Sequence, residues 1–221
     1  MFTSVSTLSY AKRGDKFYVG TLVSYQTFNT KINETITTEN KYSTGATNKD
    51  YEYDNENIKY TGAGTGIFLA YNFDRYLVHF NYLASLDLAS SETKKSSIFD
   101  IDKISLSRIV LGVKYNSSPE FNGFYFGGNL TFASLVGTSK SGKKSTLLTN
   151  QYAVVINPGY QVLFGRNWVM FFDILITALE HSQNNKKIVN SSPQQTITKV
   201  TTERLVKTSP IDVSVSIAYM F

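Results

Sequence analysis

The 221 residues fit a single domain, and the absence of Cys excludes a disulfide scaffold and a thiolate metal site. The formal charge is +5, and the 15 Tyr and 15 Phe, with abundant Val, Ile and Thr, favour strands. No run of about 18 apolar residues offers a transmembrane helix. The most apolar stretch, Trp168 to Leu179, contains Asp173 and is too short to span as a helix, yet long enough to span as a tilted strand.

The opening Met1 to Tyr10 has neither a basic start nor an apolar stretch of the secretory-signal kind. Residues 1–14 are therefore expected as an N-terminal periplasmic segment of a mature chain, and residues 15–221 as the barrel domain.

From there the chain alternates with a period of two, which puts successive side chains on opposite faces of a strand. In the first segment Phe17, Val19, Val23 and Tyr25 oppose Tyr18, Gly20, Ser24 and Gln26. In the second, Ala63, Thr65, Ile67, Leu69, Tyr71 and Phe73 oppose Gly62, Gly64, Gly66, Phe68, Ala70 and Asn72. The third is the cleanest: Tyr76, Val78, Phe80, Tyr82, Ala84, Leu86 and Leu88 oppose Leu77, His79, Asn81, Leu83, Ser85 and Asp87. The fourth sets Ile109, Leu111, Val113 and Tyr115 against Arg108, Gly112 and Lys114, and the fifth sets Phe124, Phe126, Leu130 and Phe132 against Tyr125, Gly127, Asn129 and Thr131. In the sixth, Tyr152, Val154, Ile156, Tyr160 and Val162 oppose Ala153, Asn157, Gly159 and Gln161. The seventh sets Trp168, Met170, Phe172, Ile174 and Ile176 against Phe171, Asp173 and Thr177. In the last, Ile211, Val213, Val215, Ile217, Tyr219 and Phe221 alternate with Asp212, Ser214, Ser216, Ala218 and Met220.

Connections between these segments alternate strictly in length. Asp74-Arg75, 116–122 and 165–167 are short, whereas 30–56, 89–103, 137–149 and 181–207 are long and polar. The short-turn ends carry Phe17, Tyr71, Phe73, Tyr76, Tyr115, Phe124, Phe164, Trp168, Tyr219 and Phe221, an aromatic girdle at one depth. The expected fold is all-β: an eight-stranded antiparallel up-and-down transmembrane β-barrel with short periplasmic turns and long extracellular loops.

The alternation, the Gly-rich second segment running into Ala70-Tyr-Asn-Phe73, and the terminal Tyr219-Met-Phe221 resemble the small eight-stranded bacterial outer-membrane barrels, the OmpA transmembrane domain and the OmpX/Ail group. The resemblance implies integral location in a Gram-negative outer membrane, lipopolysaccharide as a lipid partner, and recognition of Tyr219 and Phe221 by the barrel-assembly machinery. The group includes adhesins, serum-resistance factors and structural anchors, so membership leaves function open.

An eight-stranded lumen is just wide enough for side chains to fill it. The inward-facing charges include His79, Asp87, Arg108, Lys114, Asp173 and Asp212, and charges in so narrow a space must be paired or solvated. Asp87 and Arg108 are expected as cross-strand neighbours, and Lys114 and Asp173 as partners across the lumen. A polar plug is the leading reading, and a narrow pore is the alternative. Gly62-Ala-Gly-Thr-Gly66 is not a phosphate loop, because no helix follows it. The glycines are read as inward gaps that admit bulky rings from the opposite wall.

No catalytic constellation, cofactor or metal site is expected. The competing enzymatic reading is a lipid A-modifying hydrolase or acyltransferase of the kind found among eight-stranded barrels. It would need His and Ser at the outer rim, and His181 and Ser182 are adjacent, so they point to opposite faces. The acids of the first loop show no calcium-loop spacing.

Residues 31–56 carry a net charge of −3. Lys140, Lys143 and Lys144 form one basic cluster, and Lys186, Lys187, Lys199, Arg204 and Lys207 form a second, beside Glu203. Together they make a basic extracellular rim suited to lipopolysaccharide phosphates or to an acidic host or envelope partner, with no nucleic-acid module present. The β-branched residues at 32–38 and 196–206 predict that the first and last strands extend beyond the bilayer as a protruding sheet, interrupted near Pro210, whose edges take a partner by strand addition. Function is thus expected to be non-enzymatic and carried by the outer loops, as adhesion, surface interaction or anchoring.

Overall fold

The computed structural model describes residues 16–90, 101–117, 122–191 and 196–221. Residues 1–14, expected to be periplasmic, lie outside the described residues. In chain order the strands are β1 (Lys16–Tyr42), β2 (Thr47–Phe73), β3 (Tyr76–Ser90), β4 (Ile101–Asn116), β5 (Gly123–Ser139), β6 (Lys144–Phe164), β7 (Trp168–Thr177), β8 (His181–Ser191) and β9 (Thr196–Met220). Each strand from β1 to β6 pairs with the next, β7 pairs with β9, and β9 returns to β1. The sheet therefore closes on itself and has no edge at the level of these pairings. β8 continues the line of β7 along β9, with Ile176 opposite Ile211 and His181 opposite Thr208. The two pieces form one stave, and the ring has eight staves.

The break in that stave, at residues 178–180, has a local cause. Pro210 on β9 has no N–H to give to a neighbouring strand. Thr177 Oγ1 donates instead to the Pro210 carbonyl at 2.6 Å, and the N–H groups of Ala178 and Leu179 both turn to the Val154 carbonyl. The predicted interruption of the last strand is corrected accordingly: β9 runs unbroken through Pro210, and the facing stave breaks.

The alternation of faces follows the sequence periodicity throughout the lower barrel. Tyr18, Phe68, Leu77, Lys114, Tyr125, Phe171 and Met220 are buried inward, while Val23, Ile67, Leu111, Phe126, Phe172 and Val213 are exposed outward. A closed belt of exposed apolar side chains on every stave requires an apolar solvent around it. At the short-turn end its rings touch in series. Phe73 stacks on Tyr76 at 5.7 Å and Tyr76 meets Tyr115 at 5.5 Å. Trp168 meets Tyr219 at 5.2 Å, Tyr219 meets Phe221 at 5.0 Å, and Phe17 meets Phe221 at 6.5 Å. The two-residue turn between β2 and β3 has Asp74 at φ 51, a left-handed conformation that Asp tolerates better than most residues.

The expected long loops are largely strand. β1 and β2 are 27 residues each, more than twice the roughly 9–11 that a tilted strand needs to span a bilayer. They stay in one register from Lys16–Asn72 to Lys41–Thr47, and Gly45 at φ 83 closes the hairpin. With β8 and β9 they form a four-stranded blade, in the order β8-β9-β1-β2, that rises beyond the apolar belt. Polar groups on both faces explain why these segments resemble loops in the sequence: each face there meets water or other polar groups, so no apolar period is imposed.

Candidate functional site: the lumen and the extracellular blade

The lumen is filled in three layers. Nearest the short turns, Tyr18, Phe68, Leu77, Val169, Phe171 and Met220 pack as one buried cluster, with Phe68 and Phe171 centroids 4.9 Å apart. Highest, Phe28, Ile32, Tyr60, Leu106, Leu135 and Val206 belong to a second buried apolar cluster. Leu147 and Leu148 both enter this upper cluster although they are adjacent in sequence. The β5–β6 register slips twice there, and Asn150 takes a φ of 47, so the strand rotates between the two side chains. The expected polar plug is therefore only the middle of a plug that is apolar above and below.

The middle layer holds two buried ion pairs, Lys114–Asp173 and Arg108–Asp212, beside the small apolar cluster of Val110, Val155 and Leu175. Lys114 Nζ donates to Asp173 Oδ1 at 2.7 Å, and the same carboxylate accepts from Tyr125 Oη at 2.6 Å and Asn157 Nδ2 at 2.9 Å. The ammonium also sits over three rings, 4.5 Å from the Tyr125 centroid, 5.3 Å from Phe171 and 5.7 Å from Phe68. A cation so enclosed gains from the ring faces as well as from its carboxylate. Arg108 pairs with Asp212, on the far wall of the lumen. Asp87, the expected partner of Arg108, has a side chain outside the described residues. His79 lies within 2.9 Å of Asn129 Oδ1 and 3.4 Å of Asn81 Oδ1, so its ring is held by amides rather than by an acid or a nucleophile.

The inward glycines have a different role from the expected one. Gly62, Gly64 and Gly66 lie against Leu88, Ser85 and the Tyr82–Leu83 backbone of the adjacent strand, where the β2–β3 register shifts. Rings are accommodated instead at Gly159, which lies directly against Tyr125, and at Gly112, which lies against His79 and Asn129. A Cβ at Gly159 would displace the phenol that holds Asp173.

At the outer rim His181 is buried, its ring bonded to the Gln151 carbonyl at 2.7 Å and to Thr131 Oγ1 at 3.2 Å. It stands at the start of β8, where these two partners on β5 and β6 hold the ring inside the barrel. Ser182 is exposed on the opposite face. The two side chains therefore share no site.

The eight rim cations do not form one surface. Lys140 and Lys143 lie in the β5–β6 turn and Lys144 begins β6, all three exposed. On the blade, Lys186, Lys199 and Lys207 project from the outer face, whereas Lys187 and Arg204 project from the inner. Lys186 is paired with Glu203 at 2.6 Å and Arg204 with Glu34 at 3.0 Å. On β2 the inner face carries Asp50, Glu52, Asp54 and Glu56, so charge runs from acidic at β2 to basic at β8 across one sheet. The loop charges in barrel order already imply one acidic and one basic side of the rim; what they do not carry is the face of the sheet on which each charge stands, because residues 30–56 read as a loop.

A closed eight-stave ring, a lipid-facing apolar belt with an aromatic girdle, short turns at one end and a polar blade at the other together define an integral outer-membrane β-barrel. No protein-family model matches the chain, and no curated protein does. Among solved structures, the chain is similar to the outer-membrane protein OprG from Pseudomonas aeruginosa, at 14% identity over 91% of this chain and 96% of that one, with a TM-score of 0.48. It is also similar to Neisserial surface protein A, at 12% identity over 83% and 96% with a TM-score of 0.41. The attachment invasion locus protein Ail of Yersinia pestis follows at 13% identity over 88% and 98%, with a TM-score of 0.36.

Proposed function

We propose that this protein is a non-conducting, non-enzymatic outer-membrane barrel that acts by binding, with the extracellular blade and its basic rim as the working surface. The observation that carries the reading is the lumen filled at three levels beneath a sheet that continues in register beyond the belt. A filled lumen leaves no path for solute, and a regular sheet presents fixed groups at little ordering cost on binding.

Lipopolysaccharide is one partner in this reading, and Lys31 and Lys207 support it. They stand directly opposite each other on the outer face of β1 and β9, a few residues above the last belt residue, Ile211. Like charges in register destabilise a sheet unless an anion lies between them, and lipid phosphates of the outer leaflet stand at that height.

In planar bilayers containing lipopolysaccharide, the wild type is expected to show no unitary conductance above the leak. Its thermal midpoint is expected to rise with bisphosphorylated lipid A more than with the dephosphorylated form. The Lys31→Ala, Lys207→Ala double variant should lose that difference. Reproducible single-channel steps, or equal stabilisation by both lipids, contradict the reading.

A further inference from the structure

The outer face of the blade carries two large rings far from any core. Tyr51 and Tyr53 lie two residues apart on β2, on the face opposite to the buried Ile58 and Tyr60. Their centroids are 6.4 Å apart and their planes lie within 10° of parallel. Both are well exposed, at 57% and 69%.

The same face surrounds them with uncharged hydrogen-bonding groups. Thr37 stands opposite Tyr51 and Thr35 opposite Tyr53, and Thr201 follows in the Tyr51 row. Asn55 faces Asn33 in the next outer row toward the membrane. The charges in the Tyr53 row, Glu203 and Lys186, are bonded to each other at 2.6 Å. Among the described residues, neither row holds an unpaired charge for a protein or a polyanion. Exposed ring faces beside neutral hydroxyls and amides suit a sugar instead. The C–H face of a pyranose is electropositive and rests on the negative face of a ring, while its hydroxyls find donors and acceptors at the margin.

Height names which sugar. Thr61 stands level with Thr27 and Ile211, the last row of the apolar belt. From Thr61 the strand climbs to Tyr53 and Tyr51, and at roughly 3.3 Å per residue and a tilt of about 45° the rings stand about 20 Å above the belt. Lys31 and Lys207 lie between, at the level of lipid phosphates. An outer face that rises in register from the belt meets the same molecules as the belt does, and in the outer leaflet those molecules carry sugar above their phosphates.

We infer that Tyr51 and Tyr53 form a stacking platform for the core oligosaccharide of the lipopolysaccharide beside the barrel, which rests on the reading of the blade as an extracellular surface with that lipid as a partner. The lysine pair takes the phosphates and the tyrosine pair takes the sugar, so one lipid is held at two levels of one face.

The probe is core oligosaccharide freed of lipid A and of phosphate, added to the protein in lipid nanodiscs and read by saturation-transfer NMR. The wild type should transfer saturation to it. Tyr51→Ala with Tyr53→Ala should weaken binding about tenfold, the loss of two stacked rings. Tyr51→Phe with Tyr53→Phe should keep most of it, and Lys31→Ala with Lys207→Ala should leave it unchanged, because the probe has no phosphate. Heat-modifiable gel mobility verifies that every variant folds. Three results would overturn the proposal: no transfer from the wild type, equal binding by the alanine variant, or loss of a protein partner rather than of the sugar from that variant. Phosphate preference and sugar binding are read on different probes, so the two readings fail separately.

Discussion

Lys114→Ala or Asp173→Ala alone should destabilise the folded barrel by about 3–5 kcal/mol, because each leaves an uncompensated charge in the lumen. Lys114 is fully buried and Asp173 nearly so, and the carboxylate gathers three donors. The double variant Lys114→Met, Asp173→Leu removes both charges and fills similar volume, so it should lie closer to wild type than either single variant. Urea unfolding from lipid vesicles, followed by the fluorescence of the sole tryptophan, Trp168, measures all three. Single variants within about 0.5 kcal/mol of wild type would place the pair in contact with water. A strictly additive double variant would mean that the two groups do not interact.

The second large effect separates lipid from water on one stave. Ile174 on β7 and Ile188 on β8 are nearly equally exposed, at 44% and 49%. Ile174 lies near the middle of the belt, where an arginine costs about 2–4 kcal/mol. Ile188 lies on the blade, where the same substitution should change stability by less than about 0.5 kcal/mol. Solvent-accessible area alone predicts equal outcomes, so equal measured changes would remove the lipid belt from the account.

Much of the architecture is readable from the residues because lipid imposes a strict rule. Between Tyr76 and Ser85 every outward residue must be apolar or small, so the period of two survives and assigns both faces. Above the belt the rule lapses. Asn33, Thr35 and Thr37 look like a loop because solvent accepts them on either face of a strand. Cross-lumen pairs depend on stagger around the ring, which no local pattern carries. Counting depth from the turns is enough for Lys114 and Asp173, yet Arg108 pairs with Asp212, which stands across the lumen rather than beside it. The stave break at residues 178–180 has no signal of its own, since its cause is Pro210 on the neighbouring strand. An acidic and a basic side of the rim follow from loop charge and barrel order alone, whereas the inner-face placement of Asp50, Glu52, Asp54 and Glu56 needs the strand register.

The proposed molecule is a plugged barrel that spans the membrane with its blade outside. Single cysteines in the Cys-free chain test it most directly, at Tyr53 on the blade, Val113 on the belt and Arg166 in a short turn. On intact cells an impermeant maleimide should label Tyr53→Cys alone. Arg166→Cys should become reactive only after the outer membrane is opened, and Val113→Cys should stay protected throughout. Labelling of Arg166→Cys on intact cells with protection of Tyr53→Cys, or ready labelling of Val113→Cys, would contradict the account.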